Sequence, residues 1–371
     1  MNPLCVENAT NPAKVEPLCP VFGACGGCAY QDIPYDEELR IKEKELQTLF
    51  RNVLGTSDDI FETIVASPEP YYYRHRLDIG LYRDRQGGCT MGFMQEGTHR
   101  IVSVDSCAIS QQGISEFLPQ LKVEASQKMP ADYRVANLVV KIGGDGRVVW
   151  GGIGRKSLAM NEADYLWTVI EGKKVYYSLD TFFQANLSIL PRVVQQIRKW
   201  LALDAGTLFL DLYAGVGLFG LCLADSVCKV VMVEESKPSA RLAKYNVDVH
   251  HLSGKAEILP CKVEEALLLF MAESSYATKV ALIDPPRVGL SESVLQGLAL
   301  DEENPAVGGG RKWLDALLYL SCSPETLVRD LTVLSNHGWR IVKAAPFDFF
   351  PRTKHLETLV LLQPLQSEGK S

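Results

Sequence analysis

Leu318-Tyr319-Leu320-Ser321-Cys322-Ser323-Pro324 is an apolar run of strand length that ends in a cysteine between two small residues. The proline that follows pre-sets φ for the first turn of a helix. Cys322 is thereby presented at the tip of a strand. In an open α/β sheet ligands gather at the carboxyl ends of strands, so a thiol delivered there faces substrate and is a candidate nucleophile. The same residues would also suit a buried cysteine acting as a small hydrophobe, and other motifs must decide. Nearer the C-terminus, His355 and Glu357 stand two apart in Phe350-Pro351-Arg352-Thr353-Lys354-His355-Leu356-Glu357 and share one face of an extended segment. Either is a candidate base; both could instead be polar residues where a strand begins.

A second constellation is Cys19-Pro20-Val21-Phe22-Gly23-Ala24-Cys25-Gly26-Gly27-Cys28. Its three thiols, with glycines between the last two, can turn tightly enough to converge on one metal centre. A zinc ribbon usually supplies two well-separated pairs of close cysteines, and no second such pair is present. An iron–sulfur cluster held by three close cysteines and one distant one suits the spacing better, with zinc as the alternative. Cys107, in Val104-Asp105-Ser106-Cys107, is the preferred fourth ligand and Cys89, in Gly87-Gly88-Cys89, the competitor.

A third group lies where strand and helix alternate. Thr207 to Tyr213 reads as a strand running into Ala214-Gly215-Val216-Gly217-Leu218-Phe219-Gly220, whose glycines let a ligand approach the backbone. By itself this spacing suggests a dinucleotide site. Asp211, however, would set a negative charge close to two phosphates, and it suits a cationic, phosphate-free ligand such as S-adenosylmethionine. The next strand, Lys229 to Val233, ends in Glu234, placed to accept from ribose hydroxyls, with Glu235 beside it facing solvent. Val280 to Ile283 ends in Asp284-Pro285-Pro286-Arg287, a rigid corner that aims Asp284 into the crevice.

These groups need elements to position them, and 371 residues with 47% hydrophobic content suffice for two or three domains. Ten cysteines in such a chain fit a reducing compartment, so the cytoplasm is the expected address. No apolar run approaches membrane-spanning length, and the first residues lack the order of a signal peptide. A net charge of −7 argues against a globally basic nucleic-acid binder but leaves room for a local basic groove such as Arg74, His75, Arg76, Arg83 and Arg85.

Residues 1–18 read as a loose lead-in. Asp36 to Val53 reads as an amphipathic helix with Leu39, Leu46, Leu49 and Val53 on its apolar stripe. Short strands follow around Leu77 to Leu81 and Met91 to Phe93, then a helix over Ile114 to Val123. Strands near Leu138 to Ile142, Val148 to Trp150 and Val175 to Tyr177 complete a central α+β region, with turns at Gly143-Gly144 and Gly151-Gly152. After Phe182-Phe183-Gln184-Ala185-Asn186, a helix over Leu190 to Leu201 leads into a doubly wound parallel sheet. The charged, glycine-rich stretch Asp301 to Gly310 is expected to be a mobile loop. Three units result: an iron–sulfur segment over 1–35, a central α+β domain over 36–180 and a catalytic domain over 181–371.

Taken together, these segments resemble the RNA 5-methyluridine (uracil-C5) methyltransferase family, and within it the bacterial iron–sulfur branch that acts on 23S ribosomal RNA. The resemblance runs from Cys19 nearly to the C-terminus. It rests on Cys19 to Gln31 with Cys107, Phe183 to Asn186, Asp211 to Gly217, Asp284 to Arg287, Ser321 to Pro324 and Phe350 to Glu357. It implies a class I S-adenosylmethionine-dependent methyltransferase domain and a 4Fe-4S cluster on Cys19, Cys25, Cys28 and Cys107. It further implies donor contacts from Gln184, Tyr213, Gly215, Glu234 and Asp284, the nucleophile at Cys322 and the base at Glu357. Ala214 stands where many members have cysteine and Ser323 where asparagine is frequent, and neither removes a catalytic group. The partner implied is RNA, with no membrane, and the protein is expected to act as a monomer. RNA grip is expected from the central region.

Carbon 5 of uracil is too weak a nucleophile to take a methyl group unaided. Attack of a thiolate on carbon 6 makes the ring an enolate whose carbon 5 can displace the methyl from a sulfonium. A base then removes the hydrogen from carbon 5 and elimination frees the thiol. The target must be unstacked, so a flipped uridine is expected. No step uses electrons, and the cluster is expected to be structural or part of the RNA surface. A transfer-RNA uridine methyltransferase and an inactive RNA-binding assembly factor are the alternatives.

Overall fold

The computed structural model describes residues 14–98, 100–154, 157–271, 275–302 and 311–365. The chain enters α1 (Tyr35–Leu54) from Pro34, with Asp36, Glu37 and Glu38 in the first turn facing the positive end of the helix dipole. Gly55, at φ +63°, ends it in the left-handed conformation that a side chain would resist. The buried stripe of α1 is Glu38, Lys42, Leu46 and Phe50, not the all-apolar stripe expected; Leu39 and Leu49 are half-buried and Val53 is exposed.

The central sheet consists of β1 (Arg76–Arg83), β2 (Cys89–Met94), β3 (Ile101–Ser103), β4 (Val135–Ile142) and β5 (Val148–Gly151), in the order β3-β2-β1-β4-β5. Neighbouring strands are antiparallel throughout. The helix α2 (Gln112–Lys128) covers one face, and Ile114, Leu118, Leu121 and Ala125 share a core with Leu77, Ile79, Leu81, Leu138 and Val140. Strand alternation explains the split: successive residues point to opposite faces, and only one face is capped by that helix. The hairpin β6 (Leu166–Ile170) and β7 (Lys173–Tyr177) comes next, and its buried residues join the core of the following domain.

The connecting helix α3 (Leu190–Trp200) leads into the C-terminal α/β layer. Here β8 (Thr207–Leu212), α4 (Leu218–Leu223), β9 (Lys229–Val233), α5 (Lys237–Val249), β10 (Ala256–Leu259), α6 (Val263–Met271), β11 (Thr278–Ile283) and α7 (Glu292–Ala299) alternate. After the short pair β12 (Asp301–Glu302) and β13 (Arg311–Lys312) come β14 (Ala316–Ser321), α8 (Pro324–Asn336), β15 (Trp339–Phe347) and β16 (Glu357–Pro364). The sheet order is β10-β9-β8-β11-β14-β16-β15. Its first five strands are parallel, as alternation with helices requires, but β16 runs antiparallel to both β14 and β15. The wholly parallel sheet expected is thus a mixed one. No helix lies between β15 and β16, and without a crossover the chain can only return in the opposite direction.

One face of this sheet is covered by α3, α4 and α5 and the other by α6, α7 and α8. By packing, α1 belongs to the second face, since Leu46 and Phe50 join its core. Phe61 and Val65 bridge to β15 and shield its edge. Of the loose lead-in, residues 1–13 lie outside the described residues, as do residues 303–310 of the expected mobile loop Asp301 to Gly310, whose first two residues instead form β12. Among the described residues no helix is long and apolar enough to cross a membrane.

Candidate active site

The glycine turn follows β8. Tyr213 takes φ +64°, Gly215 +58° and Gly217 +85°, which ends the strand at Leu212, one residue earlier than expected. A Cβ on Gly217 would stand 2.8 Å from the Met232 sulfur, so only glycine lets the turn close against β9. Asp211, 1% exposed, accepts from the Gly220 N–H at 2.8 Å through Oδ2, while Oδ1 has no partner. Burial pushes its carboxyl up to about 7. Glu234 accepts from Gly215 N–H at 2.8 Å and Ser236 N–H at 2.7 Å, and burial raises its pKa also. Glu235 is exposed, as expected. Tyr213 and Glu234 line a cavity of about 460 Å³ with Lys262, Pro286 and Gly289.

Asp284, at the tip of β11, accepts from Gln184 Nε2 at 2.8 Å. Burial and the neighbouring Asp211 push it up to about 7. Gln184 itself comes from the loop before α3. The expected donor residues therefore fall into two groups. Tyr213, Gly215 and Glu234 stand on the cavity side, and Gln184 with Asp284 on the side toward Cys322.

Strand polarity brings the expected nucleophile and base together. The β14–β16 register pairs Ser321 with Thr358, and one step further along the same diagonal Cys322 meets Glu357. Glu357 is 5% exposed and its Oε2 has no partner. Burial and Asp284 raise its pKa well above the carboxylate range, against the pull of Arg287. Burial and Glu357 push the Cys322 thiol up to about 11, and Arg287 opposes this through charge and a hydrogen bond. Cys322 opens onto a cavity of about 540 Å³ lined also by Lys42, Glu45, Arg287, Lys354 and His355. His355 packs edge-on against Phe350 at 5.9 Å, and burial lowers its pKa.

Two participants were not assigned from sequence. Arg287 follows two prolines at a strand tip, and that position was the available signal. Lys42 donates to Glu38 at 2.7 Å, Asp348 at 2.8 Å and the Phe350 carbonyl at 3.2 Å, all buried. Its i,i+4 spacing from Glu38 is that of an ordinary surface pair, which hid it.

Away from these groups, Cys19, Cys25, Cys28 and Cys107 line one cavity of about 170 Å³ together with Arg74 and Gln31. All four are free thiols. Cys89 is not among them; it lies in β2 opposite Arg83. Burial raises Cys25, Cys28 and Cys107, and the charge of the other thiols raises each further, with Cys28 pushed up to about 12. A Cβ on Gly26 would stand 2.9 Å from the Glu96 backbone nitrogen, so the cysteine loop lies directly on the central sheet's chain. Among the described residues no three His, Cys, Asp or Glu side chains are gathered closely enough to hold a metal ion.

Against known proteins, residues 152–365 match the family model of tRNA (uracil-5-)-methyltransferases. The chain belongs to that family. It is therefore an RNA methyltransferase. An uncharacterized RNA methyltransferase of Thermosynechococcus vestitus is 28% identical over 94% of this chain and 84% of its own length. The 23S rRNA (uracil(1939)-C(5))-methyltransferase RlmD of Haemophilus parainfluenzae is 27% identical over 94% of this chain and 82% of its own. Among solved structures, the tRNA (uracil-54, C5)-methyltransferase of Pyrococcus abyssi, in complex with S-adenosyl-L-homocysteine, superposes with a TM-score of 0.65. It covers 92% of this chain and 86% of its own at 22% identity, and it shows that this family member has the α/β methyltransferase fold with a mixed sheet.

Proposed function

We propose that this methyltransferase moves a methyl group from S-adenosylmethionine to carbon 5 of a uridine in 23S ribosomal RNA through a covalent bond between Cys322 and carbon 6. One observation carries the reading: Cys322 opens onto a cavity, and buried Glu357 lies next along the β14–β16 pairing, close enough for its charge and that of Asp284 to act on the thiol. The relatives named RlmD support ribosomal RNA over transfer RNA as substrate.

The residues suit a cationic methyl donor. Asp211, Asp284 and Glu357 are all raised by burial, and Asp211 and Glu357 each keep an unpartnered buried oxygen. A ligand with an ammonium and a sulfonium would answer both deficits. When bound, the donor supplies an electrophilic methyl on positive sulfur. Tyr213, Gly215 and Glu234 would hold its nucleoside end, and Gln184 with Asp284 the amino-acid end.

Cys322 forms the bond to carbon 6 after losing its proton, with Arg287 drawing the thiol toward the thiolate. Carbon 5 would then take the methyl as the donor's sulfur–methyl bond breaks, its electron pair staying on sulfur to leave the neutral thioether. Glu357 removes the carbon 5 hydrogen, the carbon–sulfur bond breaks, and Cys322 leaves as thiolate. Burial fits Glu357 for this duty, because a carboxylate of raised proton affinity is the stronger base.

The thiol cavity fits a 4Fe-4S cluster on Cys19, Cys25, Cys28 and Cys107. Cys25, Cys28 and Cys107, each raised by burial and by the charge of neighbouring thiols, favour a shared positive centre, and about 170 Å³ is more room than a single ion fills. In this reading 1–35 carry the cluster, 36–180 contact RNA, with α1 shared, and 181–371 perform the chemistry in a cytoplasmic monomer.

The test is methylation of a 23S rRNA transcript by purified protein. Wild type is expected to form 5-methyluridine, Cys322→Ala to form none, and Glu357→Gln to accumulate a protein–RNA adduct on a denaturing gel. Methylation by Cys322→Ala would overturn the covalent route, and methylation of tRNA alone would overturn the substrate.

A further inference from the structure

Along β4, Ala136, Leu138, Val140 and Ile142 point into the core under α2. Lys141 therefore points to the other face, yet it is fully buried there. What covers it is the loop that carries Gln184. Lys141 Nζ donates to the Ser178 carbonyl at 2.6 Å and the Thr181 carbonyl at 2.7 Å, and it lies 5.8 Å from the Tyr177 ring centroid. Asp78, on the neighbouring strand, is paired with Arg76, and Asp180 accepts from the Ser178 hydroxyl. An ammonium buried on carbonyls is costly, and a methionine would fill the space at less expense. What the lysine adds is a fixed direction for two carbonyls.

The turn it grips is closed from within: Ser178 N–H donates to Thr181 Oγ1 at 3.0 Å. Beyond the turn, Phe183 stacks on Tyr177 with centroids 4.6 Å apart, which aims the next residue, Gln184, at Asp284. On the far side His75 takes the Ala185 carbonyl through its backbone N–H at 3.2 Å and its ring Nδ1 at 3.0 Å. The loop is thus pinned on both flanks of Gln184, and both pins come from the central sheet or the strand entering it.

We propose that Lys141 is a positioning residue for methyl-donor binding: its ammonium holds the Ser178–Thr181 turn so that Gln184 meets Asp284 in the donor site. This rests on the reading above that Gln184 contacts the donor. A central-sheet residue would then set donor affinity without touching donor or RNA.

The experiment compares wild type, Lys141→Met, Thr181→Val, Gln184→Ala and the Lys141→Met/Gln184→Ala double variant. S-adenosylhomocysteine affinity is measured by calorimetry, and 23S fragment affinity by gel shift, below each variant's thermal midpoint. Lys141→Met is expected to weaken S-adenosylhomocysteine about tenfold or more with RNA affinity unchanged. Thr181→Val should weaken it in the same sense, which keeps the idea testable if Lys141→Met does not fold. The double variant should bind no worse than Gln184→Ala, since the two changes act through one contact. If Gln184→Ala weakens binding while Lys141→Met and Thr181→Val leave it intact, the positioning role is overturned and the donor-site reading stands. If Gln184→Ala leaves binding intact, that reading fails and the proposal fails with it. Multiplicative losses in the double variant would also overturn it.

Discussion

Burial and, after it, the charge of Glu357 hold the proton on Cys322, and Arg287 works to release it. Alkylation of the RNA-free protein by iodoacetamide reads this balance directly. The rate at Cys322 is expected to rise with pH toward about 11; Glu357→Gln should move the midpoint down and Arg287→Ala should move it up, as removal of a negative or a positive neighbour requires. The buried acids make a second prediction. A carboxyl with a raised folded pKa favours the folded state fully below its unfolded value near pH 4, and that contribution is lost as pH rises through about 7. Donor-free protein should therefore lose thermal stability over that window. Asp284→Asn should flatten the loss, raise Tm at pH 8 by about 3 °C and abolish S-adenosylhomocysteine binding, by scanning fluorimetry and calorimetry.

At the scale of the element, α1 shows where sequence reading stops. Its extent, read as Asp36 to Val53, was legible to within one residue at each end, because apolar spacing marks it. Its buried face was not, because a Glu38–Lys42 pair has the same spacing whether water or Asp348 lies opposite, and Asp348 is remote in sequence. One ammonium serves two carboxylates here, and burial still pushes Glu38 up to about 7. Lys42→Met should strand both acids and cost about 3–5 kcal/mol in chemical denaturation, with charge loss rather than lost packing responsible. Whereas β10 and β15 were not assigned, strands β8, β9, β11, β14 and β16 of the large sheet were legible from their apolar runs, and so were the tips that carry Asp211, Asp284 and Cys322. The reversal of β16 was not, because an apolar run carries no sign of its direction.

Across the whole molecule, the cysteine segment, α1 and the last strands of the large sheet share one structural joint at Arg352. Its carbonyl accepts from Ala29 N–H at 2.7 Å and Tyr30 N–H at 3.2 Å, and its guanidinium stacks on Tyr35 and Tyr71. The spacing of Cys19, Cys25 and Cys28 was readable as a metal pattern with Cys107 preferred over Cys89, and in the fold Cys107, not Cys89, lines the cavity of the other three. Anaerobic purification is expected to give about four irons per chain with visible absorbance. Cys107→Ser should lose most of that iron and Cys89→Ser none, by elemental analysis; equal iron in both would reject the fourth-ligand assignment.

The opposed direction of the last but one strand of the large sheet has a cost for variation. Were β16 to slide by a single position against β14, Thr358 would replace Glu357 across from the sulfur. A hydroxyl cannot take up a proton from carbon at neutral pH, so the slipped chain would lose its turnover, and Leu359 and Leu361 would trade faces with Val360 and Leu362. Constraint on the reaction thus doubles as constraint on strand alignment, and length changes in the 348–356 connection should be tolerated far less than their distance from the sulfur in sequence suggests.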